Sequence, residues 1–270
     1  MNLLTIFSDI EQRDTEAYDK FMFSRRKLFK ATAITAVGTA GLVTATMNKA
    51  FAADSDVVDV LNFALLLEYL EAEFYATAVD KAGLIPDSDK EVFMTIGMHE
   101  KEHVDFLKAA LGSSAIAKPT FDFTAGGKFP TAFSDYQTFL VLSQSFEDLG
   151  VRAYKGQAPR LQGNKDVLLS ALKIHSVEAR HAGEVRLIRG LRVWTSEQDN
   201  GGAPAGIYAG ENMMPHLPTV DLPPLVTPYM LEEGGMQGMI IERTIREAYD
   251  EPLTKEEVMA LAMPFIKSTP

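Results

Sequence analysis

Apolar residues recur at steps of three and four along four long stretches of this chain, the spacing of helix faces turned towards a shared core. The first stretch opens at the helix-start signal Asp54-Ser55-Asp56 and runs to about Val79. Gly83 to Ser88, with Pro86, predicts a turn, and a second helix follows from about Asp89 to Leu111, closing at Gly112-Ser113-Ser114. Residues 113–133 carry Pro119, Gly126, Gly127 and Pro130 and read as a long connection. A third helix is predicted from about Ser134 to Gln157, a short turn from Pro159 to Asn164, and a fourth helix from about Lys165 to Thr195. The order helix, short loop, helix, long crossover, helix, short loop, helix predicts an all-α four-helix bundle over 53–195 with one long crossover. Past Trp194 the texture changes. Residues 196–239 contain Pro204, Pro215, Pro218, Pro223, Pro224 and Pro228 with many glycines, so a loop-rich extension over 196–270 is expected to pack on the bundle. Two short helices, near Ile240–Tyr249 and Thr254–Ala262, should close it.

Polar residues interrupt the apolar stripes at matched places. Glu68 sits in the stripe Leu61, Ala64, Leu65, Ala72, Tyr75, and Glu147 has Leu140, Gly150, Val151 and Tyr154 around it. Glu100 neighbours Phe93, Ile96, Val104 and Leu107, while Glu178 neighbours Ala171, Ile174, Ala182 and Val185. Each half of the chain writes the same phrase: a lone glutamate, a tyrosine seven residues on, then a Glu-x-x-His pair. The first copy is Glu68, Tyr75, Glu100 and His103; the second is Glu147, Tyr154, Glu178 and His181. The steps from lone glutamate to pair are 32 and 31 residues. Glu and His three apart share one helix face. Two lone glutamates plus two such pairs are a ligand set by which four-helix bundles hold two metal ions.

An exposed helix glutamate is the ordinary alternative for any one of these residues. It does not account for four at matched positions. Four carboxylates converging in a core are prohibitive unless neutralised, and no lysine or arginine shares their faces. Two divalent cations would balance the carboxylates and use both imidazoles. Hard carboxylates and neutral imidazole suit iron or manganese, without choosing between them. Glu71 shares part of the Glu68 face and Glu73 lies off it. Asp148 is a weaker candidate than Glu147, because Arg152 and Lys155 occupy its helical positions.

Several other residues admit two readings. His99 and His103 complete an H-E-x-x-H string around Glu100, which in zinc proteases supplies two ligands and a general base; that reading leaves Glu178 and His181 unexplained. Tyr75 and Tyr154 are core residues or outer donors to the site, with a one-electron relay as a further role. Asp105 is an outer acceptor or a surface residue, and His175 an outer contact or a satisfied boundary histidine. His216 is incidental, and Met94, Met98, Met213 and Met214 read as packing rather than copper ligands.

Charge and leader add the setting. Net charge is −11, from 26 basic and 37 acidic residues, which disfavours nucleic acid or an anionic membrane surface as partner. Without cysteine there are no disulfides, zinc ribbons, iron–sulfur clusters or thiol chemistry. Arg25-Arg26 precede an uncharged run, Ala31 to Thr46, and then Ala50-Phe51-Ala52, a small-x-small cleavage pattern. The run is 16 residues with two glycines, short for a membrane span. Residues 1–52 therefore resemble a twin-arginine signal, implying the export machinery as partner, a periplasmic or otherwise exported location and a mature form without a stable span. An uncleaved N-terminal anchor is the alternative.

The segment Leu61-Asn-Phe-Ala-Leu-Leu-Leu-Glu68-Tyr-Leu-Glu-Ala-Glu-Phe-Tyr75 and the doubled Glu-x-x-His resemble the ferritin-like superfamily, with its bacterioferritins, rubrerythrins and manganese catalases. The same segment, and Tyr249-Asp-Glu-Pro-Leu-Thr-Lys-Glu-Glu-Val, resemble the branch holding plant desiccation-related proteins and exported bacterial relatives. The resemblance implies metal-ligand roles for Glu68, Glu100, His103, Glu147, Glu178 and His181, with Glu100 and Glu178 bridging. It also implies two iron or manganese ions per chain. The cysteine-ligated module of rubrerythrin cannot exist here, and the long leader and tail depart from the cage ferritins. The functions expected are redox chemistry on a small oxidant, peroxide or oxygen, in oxidative or desiccation stress, or else a non-enzymatic metal-binding or structural role. Whether the chain forms a homo-oligomer is open.

Overall fold

The first long helix, α1 (Ser55–Val79), is buried on most of its surface, from Val57 through Leu65 and Leu70 to Ala78. A helix buried on most of its faces must be surrounded, and α1 packs inside a bundle. The computed structural model describes residues 55–195, 200–211 and 247–267. The chain divides into two units, Met1–Ala50 and Phe51–Pro270, and every described residue belongs to the second. The proposed leader with Arg25-Arg26, the stretch containing Met213, Met214 and His216, and residues 240–246 of the first expected short helix lie outside the described residues.

Helix α1 pairs with α2 (Asp87–Leu111), and α3 (Tyr136–Gln157) pairs with α4 (Lys165–Ile188). Caps set the starts of the second pair. Asp135 accepts from the Thr138 amide to open α3, and Asn164 accepts from the Val167 amide to open α4. The expected end of the fourth helix at Thr195 is corrected to Ile188. Gly190 takes φ +70°, the Leu191 amide donates to the Arg186 carbonyl at 2.9 Å, and the Gly190 amide donates to the Leu187 carbonyl at 2.9 Å. These two bonds make a Schellman stop, with glycine at the left-handed position.

The crossover from Gly112 to Asp135 brings Phe121, Phe123 and Ala132 into the core. Phe74 of α1 lies against Phe123, Phe133, Phe139 and Phe146, which ties the crossover to α1 and α3. The chain's end returns to the crossover: the Asp122 amide donates to Phe265 at 2.8 Å and the Lys267 amide to Thr120 at 2.9 Å. The second expected short helix is α5 (Lys255–Ala262), opened by a capping box between Thr254 and Glu257. Among the described residues there is one isolated bridge, Phe121 with Ile266, but no strand, and no helix is long and apolar enough to cross a membrane.

Arg152 anchors the tail. Its buried guanidinium donates to the carbonyls of Glu251 at 2.6 Å, Ala209 at 2.6 Å and Ile207, and pairs with Glu211 at 2.8 Å. Arg186 of α4 pairs with Asp148 of α3, and Tyr208 donates to the same carboxylate at 2.7 Å. Arg152 and Asp148 share a helix, but Asp148 is satisfied across the bundle by Arg186 and Arg152 by the tail. The expectation that Arg152 and Lys155 set Asp148 apart is corrected accordingly.

Candidate metal centre

The four helices carry Glu68, Glu100, Glu147 and Glu178 to one place, and all four are fully buried at 0% exposure. His103 and His181 join them. Two groups of four result, each with its ligand atoms within 4.8 Å of one another: Glu68, Glu100, His103, Glu178, and Glu100, Glu147, Glu178, His181. Glu100 and Glu178 belong to both, the arrangement expected of bridging carboxylates. Each lone glutamate belongs to one. The repeat in the sequence has become a pseudo-two-fold in space.

The contacts around the imidazoles test what the site is for. His103 Nδ1 lies 3.1 Å from Glu68 Oε2, 3.1 Å from Glu100 Oε2 and 3.3 Å from Glu178 Oε1. One ring nitrogen carries at most one proton, so it cannot donate to three carboxylates at once. His181 Nδ1 lies 2.7 Å from Glu100 Oε1 and 3.3 Å from Glu147 Oε2. Neither approach has hydrogen-bond geometry: His181 Nδ1, Glu100 Oε1, Glu147 Oε2 and both Glu178 oxygens are buried without a hydrogen-bond partner. Orphaned buried polar atoms are rare and costly. A nitrogen and several oxygens converging without a shared proton fit a common cation between them.

Gly150 adds a second fit. A Cβ built there would stand 2.7 Å from Glu178 Oε2 and 3.3 Å from Glu71 Oε1. The glycine is what leaves room for the Glu178 carboxylate. Glu71 is a further buried carboxylate at the edge of the site, outside both four-residue groups. Its partial place on the Glu68 face was the only sign of it in the sequence.

Electrostatics follow from burial. It pushes the Glu68 carboxyl up to about 8, and the charge of Glu100 adds to this against the pull of His103. Burial likewise raises Glu147, and raises Glu71 and Glu178 well above the carboxylate range. For Glu100 burial acts upward too, but the close imidazoles of His103 and His181 outweigh it and bring the group to about 2. Burial lowers the two imidazoles, yet the carboxylates around them prevail. His181 is pushed up to about 11, chiefly by Glu147 and Glu100, and His103 is raised as well. These directions favour the protonated forms of Glu68, Glu71, Glu147, Glu178 and both imidazoles.

The tyrosines cross over. Tyr75 of α1 donates to Glu147 of α3, and Tyr154 of α3 donates to Glu68 of α1. Burial raises both phenols well above their ordinary value, so both stay protonated as donors. Each tyrosine thus orients the lone glutamate of the other half.

The remaining candidates separate cleanly. His99 lies outside both groups; its Nδ1 is 3.0 Å from His181 Nε2. In the zinc reading His99 and His103 would share an ion, but here they turn to different partners. Asp105 forms an exposed pair with Lys101, and His175 meets the Val151 carbonyl at 3.0 Å. Glu73 pairs with Lys118 at 2.6 Å, and Met94 and Met98 are exposed. A groove of about 710 Å³ between α2 and α4 reaches the centre, lined among others by Ile96, His99, His103, Val177, Arg180 and His181.

Residues 56–191 match the family model of the ferritin-like domain, and the chain belongs to that family. No curated protein matches the chain.

Proposed function

We propose that this protein is an exported di-metal oxidoreductase that holds two iron or manganese ions and consumes hydrogen peroxide, or reacts with oxygen, as protection against oxidative or desiccation stress. The observation that carries the reading is the pair of overlapping four-residue groups sharing Glu100 and Glu178. Glu68, Glu100, His103 and Glu178 would hold one ion, and Glu100, Glu147, Glu178 and His181 the other. Two such ions, when bound, supply paired one-electron steps to a small oxidant.

The chain's own residues do the rest. Tyr75 and Tyr154 each donate a hydrogen bond to a lone glutamate's oxygen, which fixes that carboxylate's direction. Burial keeps bulk water from the carboxylates, and the groove between α2 and α4 gives a small oxidant its way in. Disproportionation of peroxide to water and oxygen needs no other donor. Reduction of peroxide to water alone needs an external two-electron donor.

Metal analysis with a peroxide assay is the test. The protein loaded with iron or manganese should carry two ions and consume peroxide. Glu68→Ala or Glu147→Ala should remove one ion and the activity while helical content stays. A fully loaded protein inert to peroxide and oxygen would leave only a metal-binding or structural role.

The export reading rests on Arg25-Arg26 and the uncharged run after them. Changing both to lysine should leave precursor in the cytoplasm. Normal export of the double-lysine form would make the segment a general secretory leader or an anchor.

A further inference from the structure

The two ends of the centre are not alike. Helices α2 and α4 run antiparallel, and the register that sets His99 against His181 sets Val177 against His103. In the repeat these are the same position, one residue ahead of each Glu-x-x-His pair: His99 before Glu100, Val177 before Glu178. Both line the groove. The symmetry of the ligands is therefore broken one step outside them.

The consequence lies in the imidazoles. His181 turns Nδ1 inward, 2.7 Å from Glu100 Oε1, and Nε2 outward, 3.0 Å from His99 Nδ1. The two rings lie nearly parallel, with planes 12° apart and centroids 5.2 Å apart. A cation-binding imidazole presents a lone pair, so inward Nδ1 must be bare and outward Nε2 must carry the hydrogen. His99 Nδ1 accepts that hydrogen. Such a bond selects the tautomer, fixes the ring's tilt and makes the inward nitrogen more basic. Valine at 177 can do none of this. His103 instead turns Nδ1 to the carboxylates of Glu68, Glu100 and Glu178.

We propose that His99 is a positioning residue that makes the two metal positions unequal, so that the position of Glu147 and His181 binds a divalent cation more tightly than the position of Glu68 and His103. This rests on the two-metal reading above.

The test is calorimetric titration of metal-free protein with Mn(II), with bound ions counted by electron paramagnetic resonance. Wild-type protein should bind two ions in two separate steps. His99→Val should weaken the tighter step by about 10–100-fold, the range for loss of a ligand's outer hydrogen bond, and leave the other step in place. His99→Gln should keep the tighter step, because its side-chain carbonyl accepts the same Nε2–H. Val177→His should tighten the weaker step, and it decides alone if His99→Val does not fold. Two equal steps in wild-type protein, a tighter step unmoved by His99→Val, equal weakening of both steps, or a Val177→His protein no tighter than wild type would each overturn the proposal. Wild-type protein that binds no Mn(II) would instead strike the two-metal reading itself.

Discussion

At the scale of single residues, the centre depends on side chains that are not ligands. Gly150 shows this most simply. Alanine is favoured over glycine inside a helix by about 1 kcal/mol, so Gly150→Ala should not lower the stability of α3 through the backbone. Its Cβ, however, would meet Glu178 Oε2 at 2.7 Å. The carboxylate is the far end of a flexible chain and can swing away, so the fold should survive while the site does not. We expect Gly150→Ala to keep the wild-type melting temperature within a few degrees and to weaken metal binding by about ten-fold or more. Unchanged metal affinity would mean that Glu178 needs no fixed place there. The six residues that converge in the core were legible in the sequence because Glu-x-x-His is a local pattern on one helix face. The tyrosines were legible as outer donors, but not the glutamate each one meets. Seven residues along a helix is about 10.5 Å, so Tyr75 cannot reach Glu68 on its own helix. It reaches Glu147 because α1 and α3 run antiparallel in a register that only the folded bundle defines.

At the scale of elements, the helices end where they were read at Val79, Leu111 and Gln157, and only the end of α4 was misread. Asp135 and Asn164 announce α3 and α4 by a local bond to their own helix. The end of α4 turns on Gly190, which sits in a basic, apolar stretch that still reads as helical. The tail was the least legible element, because one of its main anchors is the buried guanidinium of Arg152, far from it in the sequence. That group holds three tail carbonyls and Glu211, and nothing in its sequence neighbourhood signals a tail partner 55 to 99 residues away. Gly156, one turn further along α3, confirms how closely the tail approaches: a Cβ there would stand 1.9 Å from the Leu253 carbonyl. Removing Arg152 strands Glu211, whose carboxyl burial already pushes up to about 7 despite the guanidinium beside it. Arg152→Ala should therefore cost about 3–5 kcal/mol, the scale for breaking a buried pair from one side. It should also expose the C-terminal segment to protease before the bundle is cut. Denaturant unfolding together with limited proteolysis would check both, and a variant as stable and as resistant as wild type would show that the tail is held elsewhere.

At the scale of the whole molecule, the cluster of buried acids sets how stability responds to pH. The folded metal-free protein holds Glu68 at about 8 against an ordinary 4.5, so between those values folding takes up a proton. The stability this contributes is fully present below 4.5 and is lost as pH rises through about 8. His181 acts in the same direction, from 6.5 up to about 11. Glu100 acts oppositely, its contribution being lost as pH falls from 4.5 through about 2. Across the window from 4.5 to about 8 the raised groups prevail, and each proton taken up on folding gives a slope of about 1.4 kcal/mol per pH unit. Metal-free protein should thus melt at progressively lower temperature as pH is raised through that window. Two cations would replace those protons, so loading should release protons and stabilise the fold more at the upper end of the window than at the lower. Scanning calorimetry of metal-free and Mn(II)-loaded protein at both ends measures the difference directly. A metal-free melting temperature that is flat or rising across the window would mean that protons do not hold the empty cluster together. The four carboxylates would then have to be neutralised by something other than the imidazoles and protons described here.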